Sequence, residues 1–195
     1  MLTNLLKDIS VTSPDEQLVQ ECLEDNQAAW GALINKYRNL IFSVPIKLGL
    51  SRDDAGEVFQ NVCVTLISEL RRLREPRTLA AWLIQVTAHE SFHWRTKNSR
   101  HRPVDLDSCA REISVPAEVS DVMLDQLRRE QILREAISEL PVRCNTLIRM
   151  LFFTTPALPY EDIASKLGLA KGSIGFIRGR CLQRLRRNLE GKGFR

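Results

Sequence analysis

With 195 residues, the chain is long enough to bury a core in one large or two small domains. No apolar run reaches the roughly 18 residues that a membrane span needs, and the first residues lack the basic-then-apolar order of a signal peptide, so a cytoplasmic protein with no membrane partner is expected. The net charge is a modest +4, but arginines gather at 71 to 77, 95 to 102 and 178 to 195, so their placement says more than their sum.

Strand signals are nearly absent and helical periodicity recurs along most of the chain, which predicts an all-α fold. After an N-terminal tail, 1 to 14, helices are expected over Asp15 to Leu23 and Gln27 to Leu48. The second turns Trp30, Leu33, Ile34, Tyr37 and Ile41 inward, and Pro45 is expected to kink or break it late. Ser51 caps a helix through Leu73, with Asp53 and Asp54 in its first turn and Val58, Val62, Leu66 and Leu70 as its seam. Thr78 starts another helix, reaching about Asn98. From 101 to 120 the periodicity dissolves into proline-bearing segments, which reads as a linker between a helical domain at 15 to 100 and a second at 121 to 195. The second holds helices over Asp121 to Leu140 and from Pro141 through Phe153. Cys22, Cys63, Cys109, Cys144 and Cys181 are odd in number and form no Cys-x-x-Cys spacing, so they are expected to be reduced core residues.

Pro159 to Arg187 carries the sharpest signal. Tyr160 to Leu167 is a short amphipathic helix with acids in its first turn, Gly168 supplies a left-handed stop, and a second helix starts near Lys171, Gly172 and Ser173. Two helices joined by a glycine-bearing turn of this length form a helix-turn-helix, whose partner is duplex DNA. The second helix is expected to bury Ile174, Ile177, Cys181, Leu185 and Leu189. At about 100° per residue, Ser173, Phe176, Arg180, Arg184 and Arg187 then project toward base edges and phosphates, while Arg178 falls nearer the buried side. A tail with Arg184, Arg186, Arg187, Lys192 and Arg195 against Glu190 is a phosphate-binding footprint.

In the first domain, Asp53 to Gln60 places acids and Gln60 opposite the apolar seam, and Arg71 to Arg77 is a basic run. The following helix interleaves Trp82, Phe92 and Trp94 with Arg95, Lys97 and Arg100, a pattern suited to unstacked bases, although Trp82 also continues the apolar stripe of Leu79, Leu83 and Val86. His89-Glu90-Ser91-Phe92-His93 matches the His-Glu-x-x-His pattern of zinc peptidases, with Glu112 or Glu118 as a conceivable third ligand. The neighbouring Arg95 and Lys97 oppose a dication there, and no metal or other cofactor is expected.

Taken together, these motifs resemble the sigma factors of bacterial RNA polymerase, of the compact extracytoplasmic-function type. The resemblance runs from about Asp25 to Arg187, skipping the linker. Asp54 to Gln60 looks like the family's polymerase-clamp-binding helix, and Ala81 to Thr87 like the start of the helix that meets the upstream promoter element. Leu140-Pro141, Tyr160 to Ala164, Gly172 to Gly175 and Arg178 to Leu182 are similar to the family's fourth region. Phe176 stands where a common subgroup has proline, and His89 and His93 where many members carry asparagine, arginine or aspartate, so promoter preference does not transfer.

The resemblance implies a promoter-specificity subunit that is not an enzyme and takes no small-molecule substrate. Asp54, Glu57, Gln60 and Asn61 would dock on the polymerase clamp. Arg74, Arg77, His89, His93, Arg95 and Lys97 would recognise and open the minus-ten element. Lys171, Ser173, Phe176, Arg178, Arg180, Arg184 and Arg187 would read the minus-thirty-five element. The partners implied are core RNA polymerase through its clamp and flap, promoter DNA and, in the family's usual arrangement, an anti-sigma protein. The alternatives are a self-sufficient helix-turn-helix regulator whose first domain senses or dimerises, a zinc peptidase through His89 and His93, and an RNA-binding antiterminator.

Overall fold

A computed structural model describes residues 9–73, 75–99 and 120–194. All the regular structure among them is helical, as the periodicity predicts: α1 (Asp15–Leu23), α2 (Gln27–Lys47), α3 (Arg52–Glu69), α4 (Leu79–Ser99), α5 (Asp121–Ser138), α6 (Val142–Phe152), α7 (Tyr160–Leu167) and α8 (Ile174–Gly191), with short 3-10 turns at 70–72, 76–78 and 171–173. The chain divides into two compact units, Met1–Gln131 and Ile132–Arg195.

In the first unit α2 is the central helix, packed against α1, α3 and α4. It starts where expected because Asn26 accepts hydrogen bonds from the Ala28 and Ala29 amides. Its far end, at Lys47, falls next to the expected Leu48. Pro45 neither breaks nor ends the helix, which runs on to Lys47 with Pro45 buried. The seam of α3 is buried as predicted, and Val58, Val62 and Leu66 meet Leu33, Leu40 and Ile41 of α2 and Leu83 of α4 in one core. Ser51 caps α3 by accepting from the Asp54 amide.

Helix α4 buries two hydroxyls, and both are satisfied inside the helix: Thr87 Oγ1 donates to the Leu83 carbonyl and Ser91 Oγ to the Thr87 carbonyl, each at 2.6 Å. A polar latch ties α1 to α2. Asp15 accepts from Lys36 Nζ at 2.7 Å and from Tyr37 Oη at 2.6 Å, and Lys36 also reaches the Ser13 carbonyl.

Helix α5 contributes to both cores: Leu127 lies in the first, and Ala136 and Ile137 lie in the second. An apolar stripe read along one helix says that a face is buried, but not against which partner.

In the second unit the end of α5, with α6, α7 and α8, encloses Leu147 and Ile148, Ile163 and Ala164, and Ile174, Cys181 and Leu185. The last carbonyls of α5 run out of helical amide partners; the Glu139 and Leu140 amides take those of Glu135 and Ile137, and side chains from elsewhere in the unit add to them. Asn145 donates to the Ile137 carbonyl at 2.7 Å and Asn188 to the Ala136 carbonyl at 3.1 Å.

Two of the cysteines depart from expectation. Cys144 of α6 and Cys181 of α8 form a disulfide, with their Cα atoms 5.3 Å apart. Cys22 and Cys63 are free thiols, and Cys109 lies outside the described residues. The bonded pair is 37 residues apart in sequence, a proximity created by helix packing that no local spacing rule detects.

Candidate nucleic-acid interface

The second unit carries the expected helix-turn-helix. Glu161 and Asp162 sit in the first turn of α7, where acids favour the positive end of the helix dipole. Gly168 ends α7 in the left-handed region at φ 60°, which a residue with a Cβ adopts at a cost, and the Leu169 amide closes back on the Ala164 carbonyl at 2.8 Å. The 3-10 turn 171–173 then feeds α8, and Ser173 Oγ donates to the Ala170 carbonyl rather than capping α8 through its side chain.

The face of α8 away from the core is the one expected. Phe176 is 69% exposed, and Arg180, Arg184 and Arg187 are exposed beside it at helical spacing. The Arg180 guanidinium lies over the Phe176 ring, 5.6 Å from its centre, which pre-orients both side chains. Arg184 and Arg187 line an open groove of about 310 Å³ with Glu139, Leu140, Pro141 and Asn188.

Arg178, Lys171, Arg186 and Lys192 are instead tied within the unit. Arg178 is exposed, not tucked toward the core, and its Nη1 donates to Tyr160 Oη at 2.7 Å, joining α8 to the first residue of α7. Lys171 pairs with Glu161, and Arg186 with Glu190 at 2.8 Å. Lys192, expected in the phosphate-binding tail, instead bonds Glu139 at 2.8 Å and Glu135 at 3.2 Å. Burial disfavours its charge, yet the Glu139 hydrogen bond and the Glu135 and Glu139 carboxylates outweigh that and hold its pKa above the ordinary lysine value. Arg195 lies outside the described residues.

In the first unit Glu57, Gln60 and Asn61 stand exposed on α3. Asp54 does not share that position, because it is half-buried and both its oxygens are engaged: Oδ2 by Ser51 Oγ at 2.7 Å, Oδ1 by the Trp94 indole at 3.0 Å. The aromatic residues of α4 are not offered as open stacking faces. Trp82, Phe92 and Trp94 are half-buried against the first core, and Arg95 lies over Phe92 at 5.1 Å. His89, His93 and Lys97 form an exposed line along α4. Arg74 and the side chain of Arg77 lie outside the described residues, as do Glu112 and Glu118. His89 Nδ1 stands 3.9 Å from Glu90 Oε1, and among the described residues no group of three or more His, Cys, Asp and Glu side chains is placed to hold a metal ion.

Two apolar residues missed by the sequence reading extend the exposed face of α3: Val64 is 68% and Ile67 58% exposed. Their signal was available, since both lie off the Val58–Val62–Leu66 seam. Phe152 and Phe153, just ahead of the helix-turn-helix, are likewise exposed.

No family model matches the chain. Over 118 residues, 60% of this chain, it is 25% identical to the RNA polymerase sigma factor SigV of Bacillus subtilis (strain 168), and it spans 65% of the length of that curated relative. This likeness supports the sigma-factor family. Among solved structures, one of CnrH in complex with the cytosolic domain of CnrY is similar at 16% identity and a TM-score of 0.38, covering 91% of this chain and 97% of that one. Among the described residues no helix is long and apolar enough to cross a membrane.

Proposed function

We propose that this protein is a compact sigma factor of the extracytoplasmic-function type, which binds core RNA polymerase and directs it to particular promoters without catalysing a reaction itself. The observation that carries the reading is the exposed line Phe176, Arg180, Arg184 and Arg187 on the second helix of a helix-turn-helix. Its side chains suit the major groove, where arginine reads guanine edges and phosphates. Lys171 and Arg178 act mainly at the edge of that surface, through their bonds to Glu161 and Tyr160 of α7, and Ser173 through its bond to the Ala170 carbonyl within the turn.

The first unit supplies the polymerase contact. Glu57, Gln60 and Asn61, extended by Val64 and Ile67, form a mixed polar and apolar helix face of the kind that docks on another protein. Arg74, Arg77, His89, His93, Arg95 and Lys97 act on the minus-ten element, with His89, His93 and Lys97 facing the DNA from α4. Asp54 acts through the α3–α4 junction, and the anti-sigma protein usual for this family is a further partner. The cellular setting in this reading is the cytoplasm.

A run-off transcription assay with purified protein, bacterial core polymerase and genomic fragments tests the proposal. Discrete transcripts that require the protein are expected. Binding of duplex DNA without transcripts and without co-elution with core polymerase would sink it in favour of a self-sufficient regulator.

A further inference from the structure

We propose that Cys144 and Cys181 are a reversible thiol–disulfide couple whose oxidation state sets how firmly the arginine-bearing helix α8 is held in its unit. Cys181 lies next to Arg180 in α8 and is 1% exposed, whereas Cys144 on α6 is only half-buried, so the bond can be approached from its Cys144 side. The buried residues of α8 are Ile174, Cys181 and Leu185. One of the three residues that anchor it by burial is therefore the covalently bonded one.

Reduction exchanges that bond for two thiols, whose sulfurs pack at van der Waals separation and need more room between α6 and α8 than a bonded pair. The chemistry closes with ordinary reagents. A dithiol reductant delivers two electrons and two protons to the Sγ atoms and leaves as its own disulfide. A peroxide oxidises the more accessible Cys144 thiol to the sulfenic acid with release of water, and the Cys181 sulfur then displaces a second water to restore the bond.

The other described thiols do not compete. Cys22 and Cys63 lie in the first unit, where burial raises the pKa of both and keeps them protonated. A disulfide in a compartment rich in thiols is characteristically redox-sensing rather than structural. That argument and the consequence for DNA reading rest on the proposed function; the change at α8 does not.

The full chain is equilibrated in glutathione buffers of graded poise, the free thiols are alkylated and weighed, and amide exchange is followed in the oxidised, dithiothreitol-reduced and Cys144→Ser proteins. A reversible two-electron transition of Cys144 and Cys181 is expected, with exchange in α8 faster by about tenfold or more after reduction while α2 is unchanged. The reduced wild-type chain gives the comparison even where Cys144→Ser fails to fold. Failure of the bond to form under peroxide, failure of glutathione to reduce it, or equal α8 exchange in both states would overturn the proposal. Run-off transcription is measured in parallel: more transcript from the oxidised protein supports the link to DNA reading, whereas no transcript in either state beside a clear exchange difference defeats the sigma reading and leaves the couple standing.

Discussion

Trp94, near the end of α4, donates its indole N–H to Asp54 Oδ1 at 3.0 Å, across 40 residues of sequence. Asp54 is at the same time the third residue of α3 and the partner of the capping Ser51, so one carboxylate closes a helix start and pins the neighbouring helix to it.

This makes Asp54 a poor probe of an interface and a good probe of the fold. Asp54→Ala removes hydrogen bonds to a charged acceptor and should cost about 1.5–3 kcal/mol of first-unit stability in urea unfolding. Glu57→Ala and Gln60→Ala, at exposed positions, should leave the unfolding midpoint within about 0.5 kcal/mol and weaken polymerase binding instead. Equal losses of stability from Asp54→Ala and Glu57→Ala would refute the distinction.

The latch between α1 and α2 is a second load on stability. The side chains of Lys36 and Asp15 are 8% and 18% exposed, and removing Asp15 leaves the Lys36 ammonium with the neutral Ser13 carbonyl in place of a carboxylate. Asp15→Ala should destabilise the protein by about 3 kcal/mol, with Asp15→Asn milder because it still accepts from Tyr37. Thermal unfolding of the two variants decides it.

Arg184 and Arg187 have no ion-pair partner among the described residues, in contrast to Arg186 and Lys192. The double variant Arg184→Ala/Arg187→Ala should therefore keep its stability and lower the salt dependence of duplex DNA binding by about two phosphate contacts. Arg186→Ala should barely move that slope, and an equal effect of both would contradict the assignment. Arg180→Ala should weaken DNA binding by about 1–3 kcal/mol and leave polymerase binding intact.

Burial, with a smaller contribution from the Glu21 charge, pushes the Cys22 thiol from 9.0 up to about 11. A raised pKa means that the folded state holds the proton more tightly than the unfolded state. The stability this group contributes is complete below about pH 9 and is lost as pH climbs through about 11. Alkylation of native Cys22 by iodoacetamide should be negligible at pH 8 and should rise toward pH 11. Rapid labelling of the folded chain at pH 8 would show that the thiol is not protected.

What could be read from the sequence alone is what depends on neighbours within about four residues. The helix starts at Ser51 and Asn26, the stop at Gly168, the buried seam of α3 and the outward line of Phe176, Arg180, Arg184 and Arg187 all belong to that class, because a single helix's geometry decides them. The tertiary structure decided the rest. It divided α5 between two cores, let α2 run through Pro45, and turned Asp54 and Lys192 from expected contact residues into internal ties. It also joined Cys144 to Cys181. Each of these depends on where one helix crosses another, which is set by how whole side-chain surfaces interlock and leaves no periodic trace in the chain.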